Sequence, residues 1–135
     1  MTIVVPNTGE AIALEYLVNK DAPENLVLRL FVNNITPAET DTAVTYTECA
    51  EAGYAAITLT GASWNTTPGA PSDVTYNAQQ TFTFTGTPPT GQTIYGYYYT
   101  RLTSADLVAA ELAGTPFTVA NTNDTVKITP SITAT

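Results

Sequence analysis

The chain has 135 residues, only 12% of them charged, with a net charge of −8. This length predicts one domain able to bury a core. The four basic residues, Lys20, Arg29, Arg101 and Lys127, lie far apart, so none of them can track a phosphate backbone and no nucleic-acid partner is expected. There is no His and a single Cys, Cys49, which excludes Ser/His and Cys/His catalysis, an intrachain disulfide and a Cys/His zinc site.

Thr makes up a fifth of the residues, and Thr with Tyr favours strands. In chain order, "TIVV" (2–5) reads as a short strand stopped by Pro6. "NTGEAIALEYLVNK" (7–20) carries the one helix, about 9–19. Asn7 and Glu10 stand at capping-box spacing, and Ile12 and Tyr16 form an apolar face that Leu14 and Leu17 widen. "LVLRLFV" (26–32) alternates around Arg29 and reads as a strand covered on both faces. Residues 33–43 form a loop, "YAAITLT" (54–60) a strand, and 61–73 a turn-rich stretch with two prolines and two glycines. "QQTFTFTG" (79–86) has the cleanest alternation, with Phe82 and Phe84 on one side and Thr81, Thr83 and Thr85 on the other.

After a turn at 87–91 comes "QTIYGYYYTR" (92–101), so 79–101 is predicted to be a hairpin. "SADLVAAELAG" (104–114) has helical propensity but lies between strands, and is taken as a strand. Residues 117–133 make a second predicted hairpin turning at "NTND" (121–124). Short strands at this spacing predict an all-β domain over 1–135: a β-sandwich, a jelly-roll-like pair of antiparallel sheets, or a barrel, with one short N-terminal helix.

Little in the chain suggests chemistry. A carboxylate pair for glycoside hydrolysis remains formally open, but the acids fall in predicted loops and helix ends and read as solvated charges. "NTND" lacks the ligand alternation of a calcium loop, so no metal and no cofactor are expected. Cys49 sits beside Glu48 and Glu51, whose charges oppose thiolate formation. Three Asn-X-Thr sequons, at Asn34, Asn65 and Asn123, match the number chance gives in so Thr-rich a chain. The first ten residues have no signal-peptide pattern, and no window reaches the ~18 apolar residues of a membrane span, so the chain is expected to be soluble and made in a cytoplasm.

The tyrosines are the main open question. On a regular strand Tyr95, Tyr97 and Tyr99 share one face, opposite Ile94, Gly96, Tyr98 and Thr100, leaving no polar face. Three uses fit: a strand buried within the domain, a subunit interface, or a platform for stacking sugar. Tyr95, Tyr97, Tyr99, Trp64 and Arg101 are the candidate interface or ligand residues. Gly96 leaves room for a bulky group to approach the backbone.

"TIVVPNTGE", "WNTTPG" around Trp64, "QQTFTFTG" followed by "IYGYY", and "VKITPSI" together resemble small β-rich virion structural proteins of tailed bacteriophages, especially marine ones. That resemblance implies a non-enzymatic accessory of the particle, a capsid decoration or cement protein whose partners are the major capsid protein or other virion proteins. A charge of −8 disfavours facing packaged DNA and places such a protein on the outer capsid surface. Cement proteins gain strength from many weak contacts, and a homo-oligomer, a trimer at a local three-fold position, suits that role. The rival reading is a tail- or head-fibre module binding host cell-surface glycan through exposed Tyr and Trp.

Overall fold

Alternation in "LVLRLF" sends Leu28 and Leu30 to one side of a strand and Val27, Arg29 and Phe31 to the other, and both sides are covered. This strand, β1 (Leu26–Phe31), is central to the main sheet of the computed structural model, which describes residues 3–134. The fold is all-β with one α-helix. In chain order its elements are α1 (Asn7–Leu17), β1, β2 (Ile57–Leu59), β3 (Trp64–Thr67), β4 (Ser72–Tyr76), β5 (Gln80–Thr83), β6 (Thr93–Arg101), β7 (Leu107–Thr118), β8 (Thr125–Ile128) and β9 (Ser131–Ala134). The pairings are antiparallel and build three sheets: a main sheet β2-β1-β6-β7, a three-stranded sheet β3-β4-β9 and a two-stranded ribbon β5-β8.

The inner face of the main sheet contributes Leu28, Leu30, Tyr99 and Ala109 to the principal core. Phe82 and Ile128 of the ribbon complete it, with Trp64, Tyr76 and Ile132 of the three-stranded sheet packed alongside. Fully burying a large apolar side chain contributes about 1.5–3 kcal/mol, so contacts among the three sheets dominate cohesion. The outer face carries a second cluster of Phe31, Tyr98, Leu107 and Ala110, capped by Tyr46 from the returning loop after β1. That loop is held by Val32 N–H to Thr47 O (2.8 Å) and by Asn33, which bonds the backbone at Thr45 and Thr47.

Several local expectations are met. Phe82 and Phe84 are buried and Thr81, Thr83 and Thr85 exposed. The segment with helical propensity is a strand, β7, paired antiparallel with β6 at the edge of the main sheet. Strand 54–60 is shorter than expected, since only Ile57–Leu59 pairs. The predicted strand 2–5 begins outside the described residues; within them Val4 forms a single antiparallel bridge to Ala110.

Neither predicted hairpin forms. Within 79–101, β5 pairs with β8, whereas β6 pairs with β1 and β7. The connection 84–92 is too long for a tight turn, and Phe84 instead exchanges backbone hydrogen bonds with Asp124 (2.9 Å) and Asn123 (2.7 Å). Within 117–133, β8 and β9 pair with β5 and β4 respectively. "NTND" is still a turn: the Asp124 carboxylate accepts from the N–H groups of Ala120 and Asn121. The turn-rich stretch after Gly61 holds a hairpin unforeseen from sequence, β3 with β4, in which Trp64 faces Tyr76.

The helix also differs in detail. Asn7 is its first residue rather than its cap; Pro6 occupies the cap position with no side-chain cap bond, and the Asn7 N–H donates to Glu39 O (2.9 Å). The helix ends at Leu17, and Asn19 turns the chain away with a φ of 57°. Gly9 presses directly against β7, where any Cβ would collide with the Val108 carbonyl.

Candidate functional site

A register shift in the β6–β7 pairing decides the tyrosine question. The ladder runs from Ile94↔Phe117 to Gly96↔Leu112, an irregularity that breaks simple alternation. Ile94 and Tyr99 therefore lie in the principal core with the half-buried Tyr97 packed against it, and Tyr98 lies in the second cluster with the half-buried Tyr95 packed against it. The expectation that Tyr95, Tyr97 and Tyr99 share one face fails at Tyr95.

These rings are structural. Tyr99 is 0% exposed, and its hydroxyl donates to Ser131 O (3.4 Å) while accepting from Ser131 N–H (3.2 Å). Tyr97 meets Tyr99 edge-on at 5.7 Å and donates to Glu111 (2.8 Å). Tyr98 stacks on Tyr46 at 5.1 Å, and Tyr46 donates to Asp41 (2.7 Å). Burial raises the phenol pKa of each, that of Tyr98 to about 12. The bulky group that needs Gly96 comes from within the chain: the Phe31 ring lies over it.

Trp64 is half-buried, edge-on to Tyr76 (5.2 Å) and Tyr99 (6.4 Å). Arg101 is buried and clamped by Asp21 (2.7 Å), Glu24 (2.7 Å) and Asp106 (3.7 Å), with its guanidinium over the Tyr16 ring. The five candidate residues do not form one exposed strip. Two of them, Tyr99 and Arg101, are buried outright.

The open surface lies elsewhere. A half-enclosed groove of about 880 Å³ separates α1 from the three-stranded sheet. Ile12, Ala13 and Tyr16 line the helix side. Trp64, Thr66, Val74 and Ile132 line the sheet side, with Leu26, Leu59 and Val108 between. The sheet reaches beyond the core: at one end Trp64 and Tyr76 pack inward, while Thr66, Val74 and Ile132, in register across three strands, face the groove. The Tyr16 hydroxyl is shielded from solvent and has no hydrogen-bond partner among the described residues.

The helix leaves its apolar residues uncovered here. Only Gly9 and Ile12 are buried, while Leu14, Leu17 and Val18 are 63%, 80% and 69% exposed. Leu14 lines the groove, so the apolar surface runs out of it along the helix. The charged groups on the lining are all acidic: Glu10, Glu24, Glu39 and Asp73. Glu24 is paired with Arg101, whereas Glu10, Glu39 and Asp73 have no ion-pair partner among the described residues. The groove was not anticipated from sequence. Its trace there is a helix with more apolar residues than one buried stripe needs.

The remaining polar groups hold the fold. Glu51, 3% exposed, accepts from Thr90 N–H (3.0 Å), Thr90 Oγ1 (2.8 Å) and Gln92 N–H (2.7 Å). Arg29 Nη1 donates to both oxygens of Glu48 at 2.9 Å, and Tyr54 donates to the same carboxylate. Burial first, then the charges of Glu51 and Glu48, push the Cys49 thiol pKa up, which suits a packing role. Among the described residues no group of three or more His, Cys, Asp or Glu could hold a metal, and no helix is long and apolar enough to cross a membrane. Compared with known proteins, the chain matches no family model, no curated sequence and no solved structure.

Proposed function

We propose that the chain is a non-enzymatic structural component of a tailed-phage particle, an outer capsid decoration protein that adheres through the groove and the exposed face of α1. The observation that carries this reading is the continuous apolar surface from the groove onto Leu14, Leu17 and Val18. Contiguous exposed apolar surface on a folded chain marks a place where something else binds. The tyrosine strand, one of the interface candidates, gives way to this surface, because Tyr99 is buried in the core and the half-buried ring of Tyr97 packs against it. The same packing removes the Tyr99 ring from glycan stacking and leaves that of Tyr97 half-covered. A net charge of −8 suits the outside of a DNA-filled shell, and repeated weak contacts over many copies supply the strength a single small surface lacks.

The test is co-sedimentation of the purified protein with shells of the parent particle. Leu14→Glu with Leu17→Glu changes two exposed side chains, so the fold is retained within about 0.5 kcal/mol. Shell binding is expected to weaken at least about tenfold, the equivalent of ~1.4 kcal/mol. Undiminished binding by this variant, or glycan binding with none to shells, overturns the proposal.

A further inference from the structure

The groove's own chemistry narrows what can enter it. Its walls are apolar, and the charges around them are carboxylates without a basic residue among the lining. Three of those carboxylates lack an ion-pair partner among the described residues, so a cation arriving there meets unneutralised negative charge. A second copy of this chain would bring the same three carboxylates, Glu10, Glu39 and Asp73, within a molecule of charge −8, and like charges would oppose that docking.

A small ligand could fill a cavity of this size, but Leu17 and Val18 extend the apolar surface beyond the lining, where a compact ligand leaves them wet. A polypeptide covers both. β9 is an edge strand of its sheet, and Ile132, Thr133 and Ala134 all line the groove, so an extended segment beside it has backbone groups to pair with as well as walls to fill.

We infer that the groove receives an extended segment of a partner protein, with apolar side chains in its centre and Lys or Arg on its flanks. This rests on the adhesive role proposed above and specifies the chemistry of the partner. Apolar residues at alternate positions enter between α1 and the three-stranded sheet. The flanking cations lie against Glu39, Glu10 and Asp73. Apolar burial supplies the affinity, and the rim charges supply selection and a faster encounter.

Trp64 is the chain's one tryptophan and lines the groove, so its emission reports occupancy without a label. Three synthetic ten-residue peptides are titrated into the intact protein: an alternating Leu/Thr centre flanked by Lys, the same centre flanked by Glu, and a Ser/Thr centre flanked by Lys. The first is expected to give a saturable Trp64 shift, at least about tenfold tighter than either control, weakening as salt rises. Asp73→Lys with Glu39→Lys changes charges outside the core, and is expected to weaken that peptide about tenfold and abolish its advantage over the Glu-flanked one.

Equal binding of the Lys- and Glu-flanked peptides, equal binding of the polar-centred peptide, or no saturation with any peptide overturns the inference. Concentration-dependent dimerisation that blocks the Trp64 response also overturns it, in favour of a second copy as occupant. The shell and peptide readouts separate the two proposals. Shell binding that needs Leu14 and Leu17 but shows no peptide selectivity sinks only this inference, and peptide selectivity without shell binding sinks only the capsid role.

Discussion

At the scale of single residues, the tightest constraint is Gly96. A Cβ there would lie 2.6 Å from the Phe31 ring and run into the Glu111 carbonyl, both fixed by the ladders on either side of β6. Gly96→Ala is therefore expected to lower the urea midpoint by the equivalent of about 1–3 kcal/mol. Gly61→Ala, whose new methyl would meet only Asn25 Oδ1 at 3.8 Å, is expected to change stability by less than about 0.5 kcal/mol. Tyr99→Ala removes a fully buried ring and is expected to cost about 3–5 kcal/mol, so together with Tyr97→Ala it leaves the chain largely unfolded. Far-ultraviolet dichroism of that double variant checks the point: a native spectrum would mean the rings are not core. Sequence alone left three uses open for these tyrosines, because strand alternation is legible but the irregularity between Ile94 and Gly96 is not.

At the scale of elements, the connections are held by carboxylates as much as by packing. Glu51 gathers the chain at Thr90–Gln92, just before β6. Burial pushes its carboxyl pKa up, but hydrogen bonds from Gln92, Thr90 and Gly91 outweigh this and hold it below the ordinary value. A carboxyl depressed in the folded state adds stability above its unfolded pKa of about 4.3, and that stability is lost as pH falls through the lower folded value. Glu51→Gln is expected to lower the melting temperature at pH 7 and to flatten its fall below about pH 4 relative to the parent. A parallel acid limb in the two proteins would show that another carboxylate governs it. Elements themselves were largely readable: the Phe/Thr alternation of β5, the apolar run of β1 and the helix after Pro6 each follow from local periodicity. The β3–β4 hairpin was not, since four residues between Gly- and Pro-rich turns carry too little pattern to register.

For the whole molecule, the buried phenols set an alkaline limit. Burial leads the upward shifts of Tyr46, Tyr54, Tyr97, Tyr98 and Tyr99. Above about pH 10 an unfolded chain releases phenolic protons that the folded chain keeps, so stability falls as pH rises. Phenolate absorbance from these five is expected only as the fold is lost, coinciding with loss of the dichroism signal. Ionisation of these five near pH 10 in a still-folded protein would contradict their burial.

What the sequence by itself determined was local: strands where apolar and Thr residues alternate, one helix near the start, and the absence of histidine and paired-cysteine chemistry. The tertiary structure decided which strands are neighbours, which face each tyrosine takes, and where apolar surface stays open. The reason is physical. Periodicity is written within a few residues, whereas the entropy of closing a loop grows only slowly with its length, so adjacency in the chain ranks strand partners weakly. β5 thus joins β8 across most of the C-terminal half, and the helix, seated on β7 by Gly9, has no strand left to cover Leu14 and Leu17.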